Sequence, residues 1–352
     1  MTDKEPIAFP SGEETRKHHA YPATIWALEP DRKGKAAVAE GRGGPINIAW
    51  EIHGSGPMKI VLIMGLGGVK TSWQRQTCYF GHDNGDKYSV LLIDNRGIGE
   101  SDKPMTRYTT SGMAMDVVEV LDHVGWTGDR QINLLGISLG GMIAQEVACL
   151  IPSRLQSLSL LCTTAAFDSN LGPVGRAKQA ITMFLPKSED ENVADTAKKL
   201  FPESWLAGED MEILPSPKKT AKCGLAPGSA DGEYQRFDSN FQRFQAQEIT
   251  KREIEGHFTK GGFFCQLGAV IGHNKSVDQL RQMADLVGRD RILIMHGTRD
   301  SMIPVNNGER LIKMVKPKTG LIVEDMGHVP IMERVTWFNK LMEENFATWA
   351  KL

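Results

Sequence analysis

Gln131-Ile132-Asn133-Leu134-Leu135-Gly136-Ile137-Ser138-Leu139-Gly140-Gly141 is the stretch on which the reading of this chain turns. Gln131 to Leu135 is short and largely apolar, as a strand is, and from Leu139 to about Ile151 the apolar spacing becomes helical, with Pro152 ending it. A serine between the two, with Gly136 and Gly140 two residues to either side, predicts a sharp turn with the serine at its apex. Strained backbone angles there require small neighbours. The helix start behind Ser138 offers free amide groups and partial positive charge to an anion forming at the serine. Alone, the pentapeptide Gly136 to Gly140 also fits an N-cap with turn glycines. Its surroundings decide between the two.

Outward from this turn, strands and helices alternate. Lys59 to Met64 and Tyr88 to Ile93 are almost wholly apolar strand candidates, Leu155 to Cys162 is a further strand, and Ile46 to His53 alternates in the manner of a strand. Ser72 to Phe80 reads as helical. Residues 109–125 form an amphipathic helix with Met113, Val117, Val120, Leu121 and Val124 on one stripe and Gly125 at its stop. Apolar strands separated by helices imply a parallel sheet covered on both faces. The rhythm fails over residues 168–275 and resumes with helix 276–287, strand 291–295, helix 304–315, strand 320–324 and helix 335–350. The expected organisation is therefore a polar N-terminal arm over 1–45, an α/β core formed by 46–167 and 276–352, and an inserted helical cap over 168–275. An insertion of that length exceeds an ordinary loop and implies a lid.

Bulk composition narrows the function classes. Of 352 residues, 41% are hydrophobic and 24% charged, and the net charge is −2, which gives no concentrated basic face for nucleic acid or an anionic membrane surface. Five scattered cysteines without Cys-x-x-Cys spacing argue against a disulfide framework or a thiolate zinc site. No apolar run is long enough for a membrane span, and the N-terminus lacks the apolar segment of a secretory signal, so a cytoplasmic protein is expected. The terminal Ala350-Lys351-Leu352 resembles the small-basic-leucine peroxisomal address. Its plainer reading is the end of the last helix.

A nucleophilic serine needs a base and a group that orients the base. Of nine histidines, His328 stands just past strand 320–324, at the strand ends where open α/β sheets gather catalytic groups. His296 reads as a strand-end residue. Asp300, just past strand 291–295, is the first candidate for the orienting acid; Asp168 is a rival, and Asp325 lies too close to His328 in sequence for that role. On the opposite side, strand 59–64 ends in Gly65-Leu66-Gly67-Gly68, whose glycines allow close backbone approach. The backbone N–H groups of Leu66 and Leu139 are the candidate oxyanion hole.

Together these residues resemble the α/β-hydrolase superfamily, in its lidded esterase and lipase-like branch. The resemblance spans roughly 46–350 and includes the order Ser138, Asp300, His328 and the turn Asp94-Asn95-Arg96-Gly97-Ile98-Gly99-Glu100-Ser101, structural in that family. It implies a mostly parallel sheet flanked by helices, a Ser-His-Asp acyl-enzyme mechanism on a small, largely apolar ester, lactone or thioester, and no metal or organic cofactor. Met64 precedes Gly65 where the family often has histidine. The same triad serves carbon–carbon bond hydrolases and cofactor-free perhydrolases, and the fold also occurs in ligand-binding receptors. A serine nucleophile argues against the aspartate-dependent dehalogenases and epoxide hydrolases, and Tyr108 and Tyr234 form no secure epoxide-opening pair. Trp205, Phe237, Phe241, Phe244, Phe258, Phe263 and Phe264 in the insertion either line an apolar pocket or form the cap's own core.

Overall fold

The computed structural model describes residues 9–166 and 188–352. They build one eight-stranded sheet in the order β1-β2-β4-β3-β5-β6-β7-β8. The strands are β1 (Arg32–Val38), β2 (Ile46–His53), β3 (Met58–Ile63), β4 (Tyr88–Ile93), β5 (Ile132–Ile137), β6 (Leu155–Leu161), β7 (Ile292–Gly297) and β8 (Thr319–Val323). From β4 to β8 every pairing is parallel, while β1 and β2 pair antiparallel at one edge. The pattern of apolar strands, with helices between them, has this physical origin: side chains alternate faces, and both faces are covered. Val61, Ile63, Leu91 and Leu134 pack on the helices Thr110–Val124, Leu139–Leu150, Val277–Val287 and Asn306–Val315. Ile60, Leu62, Val90 and Leu135 face Trp73, Phe80 and the helix Val335–Trp349.

Two stretches differ from the sequence expectation. Residues 32–38, placed in the arm, form the edge strand, with only Ala36 and Val38 buried. An edge strand buries little, so its sequence carries little periodicity. Residues 70–83 form a composite of tight, α and wide turns instead of one helix. Between β6 and β7 the described residues form the helices Glu189–Leu200, Asn240–Glu253 and Lys260–Gly272. The N-terminal segment docks on this insertion: Phe9 stacks on Phe241 at 3.9 Å between ring centres. Thr15 Oγ1 donates to Gln245 Oε1 at 2.5 Å. No helix among the described residues is long and apolar enough to cross a membrane.

The turn after β5 is as tight as its glycines imply. A Cβ on Gly136 would lie 2.2 Å from Gly140 O, and one on Gly140 would lie 2.2 Å from Ile63 O. Backbone atoms cannot yield as a flexible side chain does. Gly140→Ala is therefore expected to destabilise the fold by about 1–3 kcal/mol, read as a lower urea midpoint with unchanged slope.

Candidate active site

Ser138 sits at φ 57° and ψ −121°, a backbone region that L-residues rarely adopt. The strain is held from both sides. Ser138 N donates to Leu161 O at 2.9 Å, Gly141 N donates to Ser138 O at 2.9 Å, and Thr163 Oγ1 donates to the same carbonyl at 2.8 Å. Leu139 opens the helix Leu139–Leu150, and an N–H in the first turn has no intrahelical partner. Opposite, a Cβ on Gly65 would lie 3.1 Å from Ser138 Cβ and 3.6 Å from its Oγ. Gly65 thus runs directly alongside the serine.

The candidate acid and base follow later strands of the sheet. β6 lies beside β5, and Cys162, which follows it, has ligand-type atoms of Asp300 and His328 within 4.8 Å. His328 is 3% exposed, and its Nδ1 lies 2.7 Å from Asp300 Oδ2. An ionised carboxylate accepts only, so Nδ1 carries the proton and Nε2 is left as a base. Asp300 Oδ1 accepts from Met302 N at 2.9 Å and Ile303 N at 2.8 Å. Burial alone raises the Asp300 pKa, but His328 and His296 outweigh it and hold the carboxyl at about 2. Burial pushes the Cys162 thiol well above its ordinary value. That thiol and the already engaged Asp300 form the floor of an acid–base pair, a poor donor set for a metal.

His296 does more than end a strand. Its Nε2 lies 2.7 Å from Ile303 O and 3.1 Å from Asp300 Oδ2, so this nitrogen bears a proton shared between carbonyl and carboxylate. Gly308 leaves room for the ring, since a Cβ there would meet it at 2.5 Å. The signal was present as a histidine and an aspartate four residues apart beyond a strand, but a second donor to the acid is not a pattern that spacing alone announces. The insertion also contributes. The carbonyls of Lys199 and Leu200, at the end of the helix Glu189–Leu200, accept from Ser301 N at 3.2 Å and His328 N at 2.6 Å.

Of the rival acids, Asp168 lies outside the described residues, and Asp325 is exposed, its backbone N–H donating to Thr298 Oγ1 at 3.0 Å while His328 Nδ1 pairs with Asp300. Phe237, Phe241 and Phe244 are buried in packing clusters, and Trp205 stacks on Phe201. Phe258 and Phe263 cover Gly67, and Phe264 is partly exposed. Tyr108 donates to Pro104 O, and Tyr234 accepts from Ala27 N, both local supports. A cavity of about 810 Å³ opens beside Arg75, Trp205, Arg243 and Trp337, but neither Ser138 nor His328 lines it.

Residues 59–335 match the family described as the alpha/beta hydrolase fold. The chain belongs to that family. Among curated relatives it is 29% identical over 173 residues to 3-oxoadipate enol-lactonase 2 of Acinetobacter baylyi, covering 49% of this chain and 59% of that protein. It is 25% identical over 281 residues to lipase 3 of a Moraxella species, covering 78% of this chain and 73% of that protein. Among solved structures, a thermophilic esterase from Thermogutta terrifontis aligns with a TM-score of 0.65 at 21% identity, covering 90% of this chain and 99% of that one. The last likeness concerns the fold alone.

The Asp300 geometry also sets an acid limit on stability. A carboxyl at about 2 in the folded chain and 3.8 in its ordinary state stabilises the fold fully above pH 3.8. That contribution, on the order of 2 kcal/mol, is lost as pH falls through the folded value. Urea unfolding of the parent and of Asp300→Asn at both ends of this range should show the difference between them shrinking by that amount toward acid.

Proposed function

We propose that this chain is a serine hydrolase that cleaves a carboxylic ester or lactone of a small, largely apolar substrate. The observation that carries the reading is the Asp300–His328 hydrogen bond of 2.7 Å, at the same end of the sheet as the strained Ser138. Ser138 Oγ attacks the carbonyl while His328 Nε2 takes its proton. The oxyanion is met by the N–H groups of Leu66 and Leu139, and the imidazolium returns the proton to the leaving oxygen. Water activated by the same nitrogen then releases the acyl group. Each oxyanion donor contributes on the order of 3 kcal/mol to the transition state.

Phe258 and Phe263 beside Gly67 favour an apolar group near the reacting carbonyl, and the enol-lactonase relative supports including lactones. Thioesters, carbon–carbon bonds and perhydrolysis use the same groups, so the substrate panel must include them. A fluorophosphonate probe tests the class: covalent capture at Ser138 in the folded protein is the expected result, with turnover of p-nitrophenyl acetate. Failure of both in folded protein leaves a ligand-binding protein on a hydrolase fold as the better account.

A further inference from the structure

The oxyanion turn is not self-supporting. Gly67, at φ +67°, presents its N–H to Gln266 Oε1 at 3.0 Å and its carbonyl to Lys251 Nζ at 3.0 Å. Both partners belong to the insertion, Lys251 on the helix Asn240–Glu253 and Gln266 on the helix Lys260–Gly272. Gln266 is fully buried, and its Nε2 donates to Arg96 O at 2.9 Å. Its amide therefore bridges the turn after β3 to the turn after β4. Asn95 Nδ2 donates to Met64 O at 3.0 Å and closes the bridge from below. Lys251 is itself anchored by Glu248 Oε1 at 2.6 Å, so its ammonium has a defined direction.

We propose that Gln266, assisted by Lys251, is the positioning residue that aims the Leu66 N–H at the oxyanion, so that turnover depends on the cap being docked. The inference rests on the acyl-transfer reading above. Gly67 N belongs to the peptide that follows Leu66; holding that peptide and the next from outside, with Gly68 N donating to Gly65 O at 3.2 Å across the turn, restricts the orientations open to the Leu66 N–H. Gln266 is fully buried and Lys251 is 8% exposed, so both side chains act on the turn and not on the reacting carbonyl in this proposal. Their loss is therefore expected in kcat, where the oxyanion develops, and little in KM.

Gln266→Glu gives a readout that packing alone does not produce. A protonated glutamic acid copies the amide: its carbonyl accepts from Gly67 N–H and its hydroxyl donates to Arg96 O. The ionised form sets two acceptors against a carbonyl, and burial opposes ionisation. On p-nitrophenyl acetate, the ratio of variant to parent kcat should fall about tenfold or more as pH rises and the carboxyl ionises. KM should stay within about twofold, since the affected interaction belongs to the transition state. Lys251→Met removes the other bond to Gly67, and a loss of about tenfold or more in kcat at constant KM is the expected result. Lys251→Met is measured alongside in every case: parental kcat in folded Lys251→Met overturns the proposal, as does a ratio that stays at one across pH in a Gln266→Glu chain whose carboxyl is seen by infrared titration to ionise in that range. A parent neither captured at Ser138 nor active overturns the acyl-transfer reading first, and the positioning role with it.

Discussion

Ser138→Ala is expected to lower kcat for ester hydrolysis by about 10⁶-fold and to abolish capture by a fluorophosphonate. The size follows from what alanine removes. Without Oγ there is no acyl-enzyme, and the reaction must proceed by direct attack of water. The groups that remain, Leu66 and Leu139 N–H and the binding surface, still act on a bound carbonyl, so a residual acceleration of about 10³–10⁴ over water persists. Alanine keeps the fold intact for two reasons. The side chain of Ser138 makes none of the bonds that hold the turn, which run from its N and O to Leu161, Gly141 and Thr163. A methyl group also carries no more steric strain at φ 57° than the serine does. Near-normal turnover by folded Ser138→Ala would sink the nucleophile assignment.

How much of this was legible in the sequence depends on how local the cause was. The Ser138 turn is local: glycines at 136 and 140 are required by backbone approaches within the same strand-turn-helix unit and by Ile63 next door. The parallel sheet was equally legible, because doubly covered strands must be mostly apolar, as β3, β4 and β5 are apart from Lys59, Ser89 and Asn133. β1 escaped because Arg32 to Lys35 face solvent or the sheet's edge, leaving no alternation to see. His328 and Asp300 were singled out by their positions after strands, and the structure brings the two into hydrogen-bond contact. What could not be read is how distant carbonyls and amides close on these loops. Leu200 O on His328 N and Gln266 on Gly67 join segments far apart in sequence, and a helix-terminal carbonyl has no residue type to announce it. The insertion, whose length led to the expectation of a lid, thus also braces the turn after β3 and the loop that carries His328.

That dependence on neighbours makes Asp300→Asn the sharper test of the acid. The two oxygens of Asp300 have different partners: Oδ1 accepts from the N–H groups of Met302 and Ile303, while Oδ2 faces His328 Nδ1 and His296 Nε2. An asparagine must keep its carbonyl toward the two backbone N–H groups, because turning it would set its NH₂ against them. The NH₂ then takes the place of Oδ2. His328 Nδ1 must become the acceptor, which moves the ring proton to Nε2, where the base has to be free. The expected loss in kcat is about 10⁴-fold, with KM little changed, because the geometry survives and only the tautomer is wrong. His296 cannot compensate: its Nε2 proton is held by Ile303 O at 2.7 Å, and it offers His328 no carboxylate. Retention of parental kcat by folded Asp300→Asn would mean that another carboxylate orients His328, and Asp168 is then the residue to replace next.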